Sequence, residues 1–286
     1  MTESPRSDTV LRAMTDDGAF RVVVARSTDT VQKTLETQDA WGDNGRRLGE
    51  LITGALLVRE TMAPKHRVQA IFQSRDKRGR LVADARPDGT NRGLLTRAGG
   101  LRTIDLEGGA LEMMRTLWMG ELHRGVVEVP PGGGMSQALM AYMASSEQVA
   151  SMIAVSCVLE GQTVKAAGGY IVQLLPEVGR GPLAIMTERL RDFENIDALI
   201  TSTDAAPAPL LDELLYGMPF TRLDESEVRY ECQCSAVRVM GALASLGRAE
   251  LQELVDAQEV IEMGCDYCGT QYAVPPQQLK GLLEQS

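Results

Sequence analysis

Four of the five cysteines in this 286-residue chain fall within its last 55 residues. They form two close pairs, Cys232-Gln-Cys234 and, thirty residues on, Cys265-Asp-Tyr-Cys268-Gly269. The thiolate is both the metal ligand and the nucleophile of cysteine chemistry. Two thiolates from each of two tight turns, with a folded spacer to bring the turns together, are what a tetrahedral zinc site requires. Gly269 suits such a turn, because glycine accepts the positive φ with which a knuckle aims backbone N–H groups at the sulfurs. The two histidines, His66 and His123, lie far away in sequence. The economical ligand set is therefore Cys232, Cys234, Cys265 and Cys268, holding one Zn2+ per chain in the reduced state. A lone C-x-x-C is compatible with thioredoxin-like chemistry or with nothing; four cysteines at this spacing are a far stronger signal.

Most four-cysteine sites are purely structural, so an inert zinc ribbon in a binding module is one reading. The cross-links that oxidation would produce favour a switch instead. Zinc joins both pairs and so clamps the two ends of the spacer, with an apparent free energy of roughly 10–16 kcal/mol. Oxidation within each pair, Cys232–Cys234 and Cys265–Cys268, would close loops of only three or four residues. Such loops remove roughly 1.5–2 kcal/mol of chain entropy, and neither bond joins the two halves. A C-x-C disulfide also needs its Cα atoms within roughly 6.8 Å, at the limit of an extended pair, so forming it should distort the backbone. Oxidation is expected to release zinc and loosen both the small domain and the linker beside it. A third reading, a thiol oxidoreductase using Cys265 and Cys268, needs an electropositive setting. Glu262 and Asp266 make this one negative.

The elements that must position these residues point to an α+β fold: an N-terminal mixed sheet-and-helix domain, a helical linker and a small C-terminal four-cysteine zinc domain. Within residues 1–176, strands are expected at 20–26, 66–73, 81–85, 101–106 and 125–129. A hairpin is expected from 152–159 and 165–175 around Glu160-Gly161, and helices at 30–37, 46–62 and 134–146. Residues 177–228 change texture, with breakers at Gly179, Gly181, Pro182, Pro207, Pro209 and Pro219. Leu183, Ile185, Met186, Leu190, Phe193, Ile196, Leu199 and Ile200 recur at helix-like intervals. This is the pattern of an acidic, partly helical, metastable linker that folds only by docking its apolar face. Residues 229–286 carry helix-prone stretches at 235–246 and 249–257 and an apolar stretch at 260–263. That domain is too small to rely on its own core and needs a staple.

Composition agrees with a folded protein, at 44% hydrophobic and 24% charged residues. Residues 1–176 hold 21 basic and 20 acidic side chains, whereas residues 177–286 hold 8 and 19, so the C-terminal part carries the whole net charge of −10. An acidic C-terminal portion argues against a phosphate-backbone partner, and no nucleic-acid ligand is expected. The start of the chain lacks an apolar leader and no run of about eighteen apolar residues occurs, so no membrane contact is expected and a cytoplasmic location is. Other chemistry finds little support, and no enzymatic activity is expected. Cys157 lies in an apolar strand-like run and reads as an inert buried thiol. The stretch from Pro130 to Gly134 lacks the Lys-Ser/Thr of a phosphate loop. The six methionines Met113, Met114, Met119, Met135, Met140 and Met143 read as core filling in an aromatic-poor chain.

Over nearly its whole length the chain resembles the 33-kilodalton heat-shock protein family of redox-regulated bacterial holdases. The resemblance rests on Cys232-x-Cys234 with Cys265-Asp-Tyr-Cys268-Gly269, on Ser146-Glu147-Gln148 after a helix, and on the run Ala166-Ala-Gly-Gly-Tyr-Ile-Val-Gln-Leu-Leu-Pro176. Gly49-Glu-Leu51 and Arg92-Gly93 add to it. It implies an ATP-independent chaperone that is reduced, zinc-bound and inactive at rest. Oxidation then forms the disulfides Cys232–Cys234 and Cys265–Cys268, ejects zinc, unfolds the linker and favours a homodimer that binds unfolding client proteins. Two departures fall in the first domain: Val149-Ala150 replaces the family's proline, and residues 74–79 replace its Gly-Asp-Gly-Pro turn.

Overall fold

The computed structural model describes residues 7–116, 120–176, 180–191, 193 and 195–285. The chain start, Met119 and the head of the expected linker at 177–179 lie outside the described residues. The chain divides into two compact units, Met1–Glu231 and Cys232–Ser286.

The first unit runs β1 (Thr9–Thr15), β2 (Phe20–Arg26), α1 (Thr28–Gln38), α2 (Gly42–Glu60), β3 (Arg67–Gln73), β4 (Gly79–Ala85), β5 (Thr90–Arg97), β6 (Ala110–Thr116), β7 (Leu122–Glu128) and α3 (Met135–Ser145). It continues with β8 (Ser151–Glu160), β9 (Thr163–Leu174), α4 (Arg180–Arg191), α5 (Ile196–Ser202), α6 (Pro207–Leu214), β10 (Phe220–Glu227) and β11 (Arg229–Tyr230). One sheet has the order β10-β1-β2-β9-β8, the other β11-β5-β4-β3-β6-β7. Their pairings are antiparallel except for β11 on β5.

Both sheets bury their inner faces against α2. Every residue of α2 from Leu51 to Glu60 is buried, as expected of a helix with apolar contacts all round. Val10, Val23 and Ile171 of the first sheet and Val68, Phe72 and Leu81 of the second share its cluster. Gly49 shows how closely the layers approach: a Cβ there would lie 2.5 Å from Cys157 Sγ. The polar end of α2 is paired, with Glu60 held by Arg59 at 3.0 Å and by Arg12.

The run Phe-Arg-Val-Val-Val-Ala-Arg of β2 is nearly continuously apolar because both of its faces are covered. Val23 and Ala25 face α2, whereas Phe20, Val22 and Val24 face outward into a second cluster. Met186 of α4 and Leu210, Leu211 and Leu214 of α6 complete that cluster. The apolar face expected to dock does so unevenly: Met186 and Ile200 are buried, whereas Leu183 and Ile185 stay exposed. At the start of α5, Asp197 pairs with Arg46 of α2 at 2.7 Å and accepts from Ser156.

The α+β class is as expected, but several elements differ. The expected strand at 101–106 is irregular backbone held by the Asn44 side chain, which donates to the Arg102 carbonyl at 2.7 Å and accepts from Ile104 N–H at 2.8 Å. Its apolar residues still plug the core, with Ile104 fully buried. Strands β1, β5 and β6 were not anticipated. The end of the linker, expected as broken helix, forms β10, paired with β1 along its length. Its sequence Phe-Thr-Arg-Leu-Asp-Glu-Ser-Glu has weak strand propensity, and edge pairing overrides that preference. Of the methionines, Met113, Met135 and Met143 are buried. Cys157 is buried as expected, and burial pushes its thiol far up.

The second unit comprises α7 (Ala236–Ala244), α8 (Arg248–Asp256), β12 (Ile261–Gly264), β13 (Gln271–Val274) and α9 (Pro276–Gln285). Its buried core consists of Leu243, Leu251, Val255, Val274, Leu279 and Leu283. Six aliphatic side chains are few for 55 residues.

Candidate metal centre

Cys232 and Cys234 sit outside any helix or strand, just before α7. Ser235 starts that helix, its hydroxyl accepting from Arg238 N–H at 3.3 Å. The second pair occupies the tip of the β12–β13 hairpin. There Cys265 N–H donates to the Thr270 carbonyl at 2.9 Å, and the Cys265 carbonyl accepts from Gly269 N–H at 2.7 Å and from Cys268 N–H at 3.2 Å. Gly269 has φ +72°, the left-handed conformation anticipated for the knuckle.

The fold brings all four cysteines together. Their sulfurs lie within 4.8 Å of one another, and two approaches run between the pairs: Cys232 to Cys265 at 3.7 Å and Cys234 to Cys268 at 3.3 Å. All four are half-buried free thiols. Among the described residues this is the group of His, Cys, Asp or Glu side chains that could hold a metal ion.

Two hydroxyls escaped the sequence reading. Tyr272 Oη donates to Cys234 Sγ at 3.0 Å, and Thr270 Oγ lies 3.2 Å from Cys268 Sγ. Thr270 follows the second pair by two residues, a spacing that could have drawn attention. Tyr272 lies 38 residues from Cys234, and no sequence rule links them.

The thiols are not equivalent. At Cys268, burial opposes ionisation, but hydrogen bonds from the Thr270 hydroxyl and N–H and from the Cys234 and Cys232 thiols outweigh it, bringing the group down to about 6. At Cys265, burial together with the Cys268 and Cys232 thiols wins over N–H donation from Cys268 and Tyr267, pushing it up to about 12. The hydrogen bond to Cys234, with burial and the neighbouring thiolates, pushes Tyr272 up to about 12. Hydrogen bonding rather than a nearby cation lowers Cys268, as suits a ligand cluster that shares its protons.

Comparison with known proteins agrees along the whole chain. The model of the family described as "Hsp33 protein" matches residues 8–275. The "33 kDa chaperonin" of Bacillus subtilis (strain 168) is 27% identical over 291 aligned positions, covering 98% of this chain and 99% of that one. The protein of the same name from Syntrophotalea carbinolica is 28% identical, covering 96% and 99%. The crystal structure of the 33 kDa chaperonin (heat shock protein 33 homolog) of Thermotoga maritima superposes with a TM-score of 0.83 at 22% identity, over 98% of this chain and 99% of that one.

Proposed function

Because this chain belongs to the Hsp33 family, we propose that it is a redox-regulated, ATP-independent holdase chaperone whose four-cysteine centre is the switch. In the reduced resting state Cys232, Cys234, Cys265 and Cys268 hold one Zn2+. The sulfurs fit it: a tetrahedral site with Zn–S of about 2.3 Å places sulfurs about 3.8 Å apart, close to the 3.7 Å and 3.3 Å approaches. When bound, the ion supplies a cross-link between the two pairs and holds their sulfurs as thiolates.

That convergence of sulfurs, in a unit with six buried aliphatic residues, is the observation that carries the reading. A core this small depends on its staple. Oxidation to Cys232–Cys234 and Cys265–Cys268 replaces a bond between the halves with bonds inside each half. Cys232 follows β11 by two residues and β10 by five, so the freed end continues directly into the segment that docks on the first sheet. On this reading residues 1–176 are the chaperone core, 177–228 the metastable linker and 229–286 the switch. α4–α6 are too short to persist as free helices, and their release uncovers Phe20, Val22, Val24, Tyr170 and Val172 to partly unfolded clients. The oxidised form acts as a homodimer in the cytoplasm.

The test is zinc stoichiometry and free-thiol count before and after peroxide at raised temperature, alongside suppression of client aggregation. The expected result is one zinc per chain when reduced, then loss of zinc and four thiols together with a gain in suppression. Zinc retained through oxidation with suppression unchanged leaves a binding module with a structural zinc ribbon.

A further inference from the structure

The Tyr272 hydroxyl touches a cysteine from the opposite half of the cluster. Tyr272 lies on β13 opposite Met263 of β12, in the hairpin that carries Cys265 and Cys268 at its tip. Its Oη reaches Cys234 Sγ at 3.0 Å, in the other pair. It therefore joins the two halves without the metal. The donor sits on a ladder-paired strand that leads into the buried Val274, so the phenol is held by the sheet and not by the sulfur alone. Cys234 is also 3.3 Å from Cys268 Sγ, a second contact between the halves.

We infer that Tyr272 is a positioning residue for the switch: its hydroxyl donates to the Cys234 thiolate, holds that sulfur toward the other pair and sets how readily it is oxidised. This rests on the redox reading above and names the residue that tunes it. Oxidation by hydrogen peroxide begins when a thiolate lone pair attacks one peroxide oxygen. An S–O bond forms, the O–O bond breaks, and the departing hydroxide takes a proton to become water. The partner thiolate then attacks that sulfur, forms the S–S bond and displaces hydroxide, which takes a second proton. Two thiolates lose two electrons in all, and one peroxide with two protons becomes two waters. A lone pair already engaged by an O–H is less available for the first attack. To reach Cys232, Cys234 must also leave its position beside Cys268, and the hydroxyl resists that movement. The donor thus slows both stages on the Cys232–Cys234 side of the centre.

The test compares the full-length zinc-loaded protein with Tyr272→Phe, which keeps the ring and removes the donor. A second variant carries p-aminophenylalanine at position 272, which keeps the ring and restores an N–H donor. Three quantities are read: zinc per chain, the rate of peroxide-driven zinc release to a chromogenic chelator, and the rate of Cys234 alkylation by N-ethylmaleimide, resolved by peptide mass. Tyr272→Phe is expected to speed release and Cys234 alkylation about tenfold, the equivalent of about 1.4 kcal/mol in a barrier. The p-aminophenylalanine variant is expected to return both rates toward those of the unaltered protein. Unchanged rates in Tyr272→Phe overturn the inference. So do rates that rise equally in both variants, because ring packing and not donation is then responsible. An unaltered protein that keeps its zinc under peroxide overturns the redox reading instead, and Cys234 alkylation still reports whether the hydroxyl engages that sulfur.

Discussion

Replacing Leu214 with alanine should loosen the docked segment without unfolding the sheets beneath it. Leu214 is fully buried in the cluster that α6 forms with Phe20, Val22, Val24, Tyr170 and Val172. Truncating a fully buried leucine to alanine costs about 2–5 kcal/mol, from lost transfer free energy and the cavity left behind. At about 1.4 kcal/mol per tenfold, the opening equilibrium of the segment rises from about thirtyfold to several thousandfold. The loss falls locally because α6 spans eight residues and has little helical stability of its own. The centre of the first unit, around Leu51, Leu56 and Phe72, belongs to a separate cluster. Amide hydrogen exchange reads the difference directly. Amides of residues 207–215 should lose protection by the factor above, while those of β3 and β4 keep theirs. On the holdase reading, the variant should also suppress aggregation at a lower extent of oxidation than the unaltered protein. An equal loss of protection in α6 and in β3–β4 would show that the segment opens only with the whole unit, and the reasoning fails.

Two further outcomes follow from named contacts. Gly49→Ala places a Cβ 2.5 Å from Cys157 Sγ and 2.9 Å from Val31 Cγ1; thermal melts should show a loss of about 1–3 kcal/mol, partly restored in the double variant with Cys157→Ala, a non-additivity expected of touching residues. Cys232→Ser removes one of four sulfurs, so zinc affinity should fall and limited proteolysis should cut within residues 229–286 while residues 1–176 stay intact; simultaneous loss of both regions would contradict this.

What could be read from the sequence divides along the range of the contacts involved. The four-cysteine cluster was legible because the two residues of each pair are near neighbours and the turn chemistry of Gly269 is local; its φ of +72° is a property of one residue. α2 was legible for the same reason, its apolar spacing being a local period. β10 was not, because nothing within Phe-Thr-Arg-Leu-Asp-Glu-Ser-Glu specifies a strand. Its conformation is imposed by β1, more than two hundred residues earlier, through a ladder that runs Thr9 to Glu227 and Thr15 to Phe220. β5 also hides its identity: Gly93 at its middle weakens the strand signal, yet it sits where a Cβ would crowd Thr34, Leu48 and Ile52 at 3.0–3.1 Å. The stretch 101–106 was misread in the opposite sense. Its apolar residues do enter the core, but Asn44 satisfies the backbone that a strand partner would otherwise hold. The candidate centre repeats this division. The four sulfurs are announced by their spacing, whereas the hydroxyl on Cys234 arrives from β13 and depends on the hairpin register that sets Tyr272 against Met263. A variant that slips this register by one residue would turn the phenol to the opposite face and leave every cysteine spacing in the sequence unchanged. The spacing that announces the sulfurs and the register that delivers the hydroxyl are therefore separate features of the sequence, and on the redox reading a change confined to the Tyr272 hydroxyl should alter the oxidation threshold without altering zinc stoichiometry.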